Sequence, residues 1–448
     1  MKRIRWQEDD IPVYGHGMEG GAIRKHFDLT ALHGEREYLR HAFLRDVDGD
    51  GRPEIITRTM NGNRARCIRS DDGSTVWESP DVAPPPEQSV QISDIAVGDL
   101  DEDGVDEVLL ASYQGDIVCL DSITGSLKWH RRIPWLINNS MLAVRKITPG
   151  PGKNIALTVA HEAKEAGPGP RFRYNYMYHP SLLVLDHQGD TSFLVEDYAP
   201  HNSDGHYTWT FDIDGDGFCE IACCGVAELV WFDHDGRRLF SLPAPGEDGH
   251  PDDVQCFNWR PDVPGNEIIY LDGVEGVKVA SCTGEILHEA TYPPEIASHL
   301  QLIMPMHTPD GPALVAANIR SPESMLLFLD SELKPVWGLE SDADIMNPCK
   351  ADWDGDGREE IITGTIGRDV HNKRGSTSCS FQVIRTDGSP ICKHHWEGYT
   401  QCQPVAVGDI DGDGRPEVVV SVGDHDGPEG RWSLPEGSRE HLFLMGAP

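Results

Sequence analysis

The string Asp-x-Asp-Gly-Asp-Gly-x-x-Glu, with Glu for the first Gly in one copy, recurs five times and constrains the fold more than any other feature. Each copy keeps carboxylates at its first, third, fifth and ninth positions. They are Asp46, Asp48, Asp50 and Glu54; Asp99, Asp101, Asp103 and Glu107; Asp212, Asp214, Asp216 and Glu220; Asp352, Asp354, Asp356 and Glu360; and Asp409, Asp411, Asp413 and Glu417. Aspartates at alternate positions aim their oxygens at one point, Gly at the sixth permits a sharp turn, and the last Glu closes the shell of a hard cation. An EF-hand opens the same way but places its Glu at the twelfth position, between helices. Here β-rich runs follow at once, as in Ile55-Ile-Thr, Val108-Leu-Leu and Val418-Val-Val. The loops therefore read as calcium sites between strands. Acidic turns without metal are the alternative, and the retention of every carboxylate argues against it.

Three further segments align with these ligands eroded: Ile147 to Ile155, Asn258 to Glu267, and His307 to Val315. The units recur every fifty or so residues, which is the spacing of propeller blades. After the strand that follows each loop the chain offers a hairpin, such as Ile117 to Asp121 with Leu127 to Trp129. The expectation is an all-β chain, one domain over 1–448, forming an eight-bladed β-propeller of four-stranded blades. The last repeat, ending at His441 to Met445, lacks a fourth strand. Lys2-Arg-Ile-Arg-Trp6 is similar to the outer strand Ser126 to Trp129. An N-terminal strand over 2–6 is thus expected to complete the last blade and remove an exposed edge.

The net charge of −36 argues against nucleic-acid and anionic-membrane partners. No apolar run is long enough to cross a bilayer. The start, Met1-Lys-Arg-Ile-Arg-Trp, has no apolar leader core, which places the chain in the cytoplasm; a secreted chain trimmed of its leader would read the same. Eleven cysteines, without a CxxC pair, suggest buried thiols rather than a zinc site or a disulfide framework.

In a four-stranded blade the calcium loop joins the first and second strands. The second-to-third and fourth-to-first connections then share the opposite face, where the long connections 161–180, 367–376 and 423–440 fall. Residues entering the innermost strands there are Arg40, Gln91, Asn139, Asp204 with His206 and Tyr207, His250 with Asp252 and Asp253, His299, Asn347 and Gln403. Channel water or a polar ligand would each suit such a lining. The first long connection adds His161, Arg171, Arg173, Tyr174 and Tyr176. Arginines clamp carboxylates and aromatic rings stack on sugars, so an anionic oligo- or polysaccharide is the expected partner. The same alternation also fits an extended edge strand with one wet face.

The Asp-x-Asp-Gly-Asp-Gly-x-x-Glu loops resemble the FG-GAP repeats of integrin-like propellers. With the stretches Gly205 to Gly217, His250 to Trp259 and Asn347 to Glu360, the chain is similar to the propeller of rhamnogalacturonan lyases, polysaccharide lyase family 11. Two departures are expected: the 448 residues given leave no room for the family's extra N-terminal β-domain, and its Lys-containing Asn-Gly-Thr segment is not evident. Other propeller lyases, acting on ulvan or rhamnosyl-glucuronate ends, use His and Tyr, and this chain is rich in both.

The resemblance implies β-elimination: loss of the proton at C5 of a uronate, α to its carboxylate, with expulsion of the 4-linked sugar. Such chemistry wants a cation on the carboxylate, a base near C5 and an acid on the leaving oxygen. Arg171 or Arg173 is expected in the first role, His206 or His250 in the second, and Tyr207 or a loop tyrosine in the third. His161, Tyr174, Tyr176, Asp204, Asp253, His299 and Asn347 are expected to bind substrate. Two alternatives stay open: a non-catalytic calcium propeller that binds glycan or protein, and a glycoside hydrolase using Asp204 with Asp253. A further catalytic calcium at the axis is also open.

Overall fold

A computed structural model describes residues 1–4, 13–16, 22–33, 42–58, 64–81, 92–112, 114–137, 142–160, 162–165, 174–178, 180–199, 207–225, 227–244, 251–272, 276–296, 300–318, 324–341, 343–366, 378–423 and 439–447; at 13–16, 92–93, 162–165 and 174–178 it describes the backbone. Among these the chain is all-β apart from the short helix Leu29–His33, and no helix is long and apolar enough to cross a membrane. The strands form successive antiparallel sheets in chain order: sheet 1 over 43–78, sheet 2 over 92–132, sheet 3 over 136–195, sheet 4 over 208–243 and sheet 5 over 254–291. Sheet 6 follows over 300–341, sheet 7 over 344–397 and sheet 8 over 401–445, the last two joined by one bridge, Ile366 to Gln401.

Burial follows strand position within a sheet. The second and third strands of sheet 2, Glu107–Ser112 and Asp116–Asp121, are buried almost throughout, whereas the outer strand Leu127–Arg132 is largely exposed. Strands covered on both faces must be apolar on both, which is why their sequences lack alternation. The covering comes from neighbouring sheets. Ile56 and Cys67 of sheet 1 share one apolar cluster with Val108 and Leu120 of sheet 2, and Ala222 and Trp231 of sheet 4 share another with Ile268 and Ala280 of sheet 5. Other clusters join sheets 2 and 3, 3 and 4, 5 and 6, 6 and 7, and 7 and 8. One more joins the last sheet to the first through Phe27, Val419 and Leu444 with Ile55 and Ile68.

A second link repeats at the sheet edges. The Nε1–H of Trp77, in an outer strand, donates to the Ser122 carbonyl in the tight turn of the next sheet at 2.8 Å. Trp129 reaches His187 at 3.0 Å and Trp337 reaches Thr386 at 2.8 Å in the same way. The ring needs room there. A Cβ on Gly125, in the turn under Trp77, would sit 2.5 Å from the ring, and Gly125 has φ +68°. Only glycine meets both conditions without strain.

The N-terminal strand corrects an expectation. Lys2–Ile4 does not complete the last sheet; it pairs in parallel with the outer strand Pro335–Ser341 of sheet 6, Lys2 opposite Trp337 and Ile4 opposite Leu339. Ile4 packs into the cluster of Trp337, Leu339 and Ile384, and Arg3 meets Glu340 at 3.3 Å. The fourth strand of sheet 8 is Ile23–Asp28, antiparallel to Glu440–Met445. His26 stacks on Phe443 with ring centroids 4.5 Å apart, and Phe27 lies over the turn glycine Gly73 of sheet 1. A three-residue match to an outer strand could not discriminate between two edges that both need covering.

Phe27 thus seals the edge between the last sheet and the first. Phe27→Ala is expected to cost about 3 kcal/mol, read as a lower denaturation midpoint. A loss under about 1 kcal/mol would show that this edge carries no such load.

Candidate functional site

Each of the five acidic loops joins the first two strands of its sheet and is built from its own side chains. In the first, Asp46 accepts hydrogen bonds from the N–H groups of Gly49 at 2.8 Å and Gly51 at 3.0 Å. Asp48 accepts from Asp50 N–H at 3.2 Å, and Asp50 from Arg52 N–H at 2.8 Å. The ninth residue ties the base: Glu54 accepts from Val47 N–H at 3.0 Å, Glu107 from Leu100 at 2.7 Å, Glu220 from Ile213 at 3.0 Å, Glu360 from Trp353 at 2.9 Å, and Glu417 from Ile410 at 2.8 Å. These glutamates are buried; the aspartates are more open. Local Asx-type bonds thus set the loop, and the glutamate fixes it to the sheet.

The geometry brings together three carboxylates per loop rather than four. Oxygens lie within 4.8 Å of one another for Asp46, Asp48 and Asp50; Asp99, Asp101 and Glu107; Asp212, Asp214 and Asp216; Asp352, Asp354 and Asp356; and Asp409, Asp411 and Glu417. Asp103 and Asp413 fall outside their clusters, as do Glu54, Glu220 and Glu360. Oxygens ~2.4 Å from a central ion span about this distance, and an all-oxygen set suits a hard cation. Asp99 Oδ1, Asp352 Oδ1 and Asp354 Oδ1 are buried with no hydrogen-bond partner. Burial, reinforced by nearby aspartates, pushes Glu220 and Glu360 up to about 7. All-oxygen clusters of this span, with the orphaned oxygens of Asp352 and Asp354 in the loop of sheet 7, fit a divalent ion.

The eroded repeats keep the frame without the cluster. In sheet 3 the register begins one residue earlier than expected, at Lys146, and Asn154 takes the glutamate's place, accepting from Thr148 N–H at 2.8 Å. In sheet 5, Glu267 accepts from Trp259 N–H at 2.8 Å. Sheet 6 has lost the loop to a short turn between Leu300–Thr308 and Gly311–Asn318.

His161, Arg171, Arg173, Asp204, His206, His250 and His299 lie outside the described residues, as do Arg40, Gln91 and Asn139. Tyr174 and Tyr176 lie in the strand Tyr174–Tyr178, which pairs with Glu162–Glu165 in a separate two-stranded sheet. Tyr207 is half-buried, its ring centroid 5.4 Å from that of Trp209. Asn347 sits at an irregularity of its strand with φ +44°, a conformation Asn tolerates. Gln403 is buried and its side-chain carbonyl oxygen lacks a partner.

Asp253, expected to bind substrate, has another job. It is 7% exposed, and its carboxylate accepts from Ile303 N–H of sheet 6 at 2.9 Å and from Gln255 Nε2 at 3.1 Å. Asp94 does the same between sheets 2 and 3, accepting from Leu142 N–H at 2.6 Å. Both stand five positions before the start of their repeat's loop, as do Tyr207 and Asn347. Repeat register was the signal that could have found this latch from sequence.

Residues 46–110 match the FG-GAP-like repeat family, which covers the first two acidic loops. No curated protein matches the chain significantly. Among solved structures the chain is similar to Saccharomyces cerevisiae Sqt1, with a TM-score of 0.61 at 12% identity over 95% of this chain and 99% of that one. It is also similar to the quinohemoprotein alcohol dehydrogenase of Comamonas testosteroni, with a TM-score of 0.58 at 11% identity over 95% and 76%. The computationally designed protein Ika8 gives 0.53 at 10% identity over 92% and 98%. These neighbours are β-propeller proteins, and at such identities the likeness speaks for fold alone. The chain carries FG-GAP-like repeats on a β-propeller fold.

Burial pushes Asp253 up to about 7, against the pull of its N–H donors. A raised native value means the folded state holds the proton more tightly than the unfolded one. The contribution to stability is complete below the ordinary carboxylate range and is lost as pH rises through about 7. Asp253→Asn should remove this dependence, so that wild type loses up to about 4 kcal/mol relative to the variant as pH rises through this range. Parallel stability–pH curves for the two proteins would contradict the assignment.

Proposed function

We propose that the eight sheets close into an eight-bladed propeller whose acidic loops hold calcium, and that its opposite face cleaves a rhamnose–uronate glycan by β-elimination. Closure is supported by the apolar cluster joining sheets 8 and 1 and by Phe27 over Gly73. Calcium is supported by the oxygen clusters and, in the loop of sheet 7, by the orphaned oxygens of Asp352 and Asp354.

The observation that carries the choice of face is topological. Each acidic loop ends a first strand and begins a second, so the far end of every second strand points away from the loops. Ala160 and Ser181, the strand ends flanking the Arg171–Arg173 connection, belong to that far end, as does Tyr207 at the entrance of sheet 4. In this reading Arg171 or Arg173 neutralises the uronate carboxylate and makes the C5 proton acidic. His206 or His250 removes it, and Tyr207 or a tyrosine of the connection protonates the leaving oxygen. The bound calcium supplies structural charge compensation at the other end. Hydrolysis by Asp204 with Asp253 is disfavoured, because Asp253 is committed to the backbone of sheet 6.

The test is near-ultraviolet absorbance, where unsaturated uronates absorb, with a panel of rhamnose–uronate glycans and added calcium. One substrate should give a steady rise, and the joint His206→Ala, His250→Ala variant should lose at least ~100-fold of it. A flat trace from folded protein across the panel would overturn the lyase reading in favour of glycan or protein binding.

A further inference from the structure

The five acidic clusters are not equivalent, because side-chain cations reach some of them. In sheet 2 the Lys128 ammonium lies 2.9 Å from Asp101 Oδ2 and 2.5 Å from Glu107 Oε1. Those are two of the three carboxylates in that cluster. Glu107 is almost fully buried there, so the contact is made where water screens it poorly. Loops 1 and 7 are different. Arg69 meets Asp48 at 3.1 Å and Arg385 meets Asp354 at 3.3 Å, each touching one carboxylate from an exposed position. Among the described residues no lysine or arginine ion pair reaches the clusters of loops 4 and 8.

The eroded loops show where this trend leads. Lys146 stands at the first position of loop 3 and donates to the carbonyls of Gly150 at 2.8 Å and Gly152 at 2.7 Å. It also meets both oxygens of Glu102 at 3.2 Å. Glu102 replaces the first glycine of the string in loop 2 and adopts φ +62°, a strained conformation for a glutamate. The strain is offset by contacts across to loop 3, which include a hydrogen bond from Gly152 N–H at 3.1 Å. In loop 5, Arg260 stands at the third position, where the metal loops carry Asp, and its Nε donates to Glu267 at 2.9 Å. Lysine and arginine thus occupy the places of metal ligands and bring the positive charge themselves.

We infer that loop 2, although its sequence reads as a calcium site, is neutralised by the Lys128 ammonium and does not hold calcium under conditions that fill the other four. This inference rests on the calcium reading above. A tethered ammonium is present at a high effective concentration, and a calcium ion must displace it before Asp101 and Glu107 can turn to the metal. Loops 2 and 3 then form a metal-free sector flanked by metal-bearing repeats.

Calcium titration calorimetry on the whole chain tests this. With five clusters among the described residues and one closed by Lys128, wild type should bind four ions at these loops and Lys128→Met one more than wild type. Asp101→Asn should leave the wild-type count unchanged, whereas Asp214→Asn in loop 4 should lower it by one. The asparagine pair keeps the test alive should Lys128→Met fail to fold. Five ions of similar affinity in wild type, or loss of one ion in Asp101→Asn, would overturn the inference. No calcium bound by any variant would instead overturn the calcium reading itself, and the inference with it.

Discussion

Carboxylate oxygens held within 4.8 Å of one another are the constraint around which one end of this protein is organised. At that spacing and an effective dielectric of ~20, each ionised pair repels by about 3 kcal/mol. The chain relieves this in three ways. Backbone N–H groups of the loop take up part of each aspartate, as Gly49 and Gly51 do for Asp46. Burial, with the nearby aspartates, raises Glu220 and Glu360 beside their clusters to about 7, so that they add less negative charge there. Internal cations answer part of the rest, as Lys128 does at Asp101 and Glu107, and the proposed calcium would answer what remains. Lys146 and Arg260 stand where the acidic loops carry aspartate, in repeats that keep the same backbone frame, and bring such a charge themselves.

Sideways cohesion has a separate source. An aromatic ring on an outer strand covers a glycine turn of the next sheet, while buried aliphatics fill the space between sheets. These contacts are apolar and indifferent to metal, so loop chemistry can erode in sheets 3, 5 and 6 without loss of the sheet. Asp94 and Asp253 add a polar latch from one sheet to the backbone of the next. A common frame with variable charge leaves the loops at the ends of the strands free to differ from sheet to sheet.

Local features were the legible ones. The loops and the strands after them could be read because their ligands lie within nine residues and their glycines mark fixed turns. The closing strand was not legible in the same way. Lys2–Ile4 and Ile23–Asp28 are both short and mixed in polarity, and only packing against Trp337 or Phe443 sorts them to different edges. Asp253 misled for a related reason: a carboxylate at a strand entrance is equally suited to a ligand or to the N–H of Ile303, and that partner lies fifty residues away. Lys128 escaped notice because it approaches loop 2 from the outer strand of its own sheet rather than from the loop.

Bound calcium is proposed to neutralise the carboxylate clusters and so to stabilise the strand pairs that the acidic loops join. Thermal unfolding in chelator and in millimolar calcium tests it most directly. The account predicts that chelation lowers the midpoint by 10 °C or more on the order-of-magnitude scale of several kcal/mol, and that calcium, not monovalent salt at equal ionic strength, restores it. Identical midpoints in chelator and calcium would contradict the claim, leaving internal cations and protonation as the whole of the charge balance.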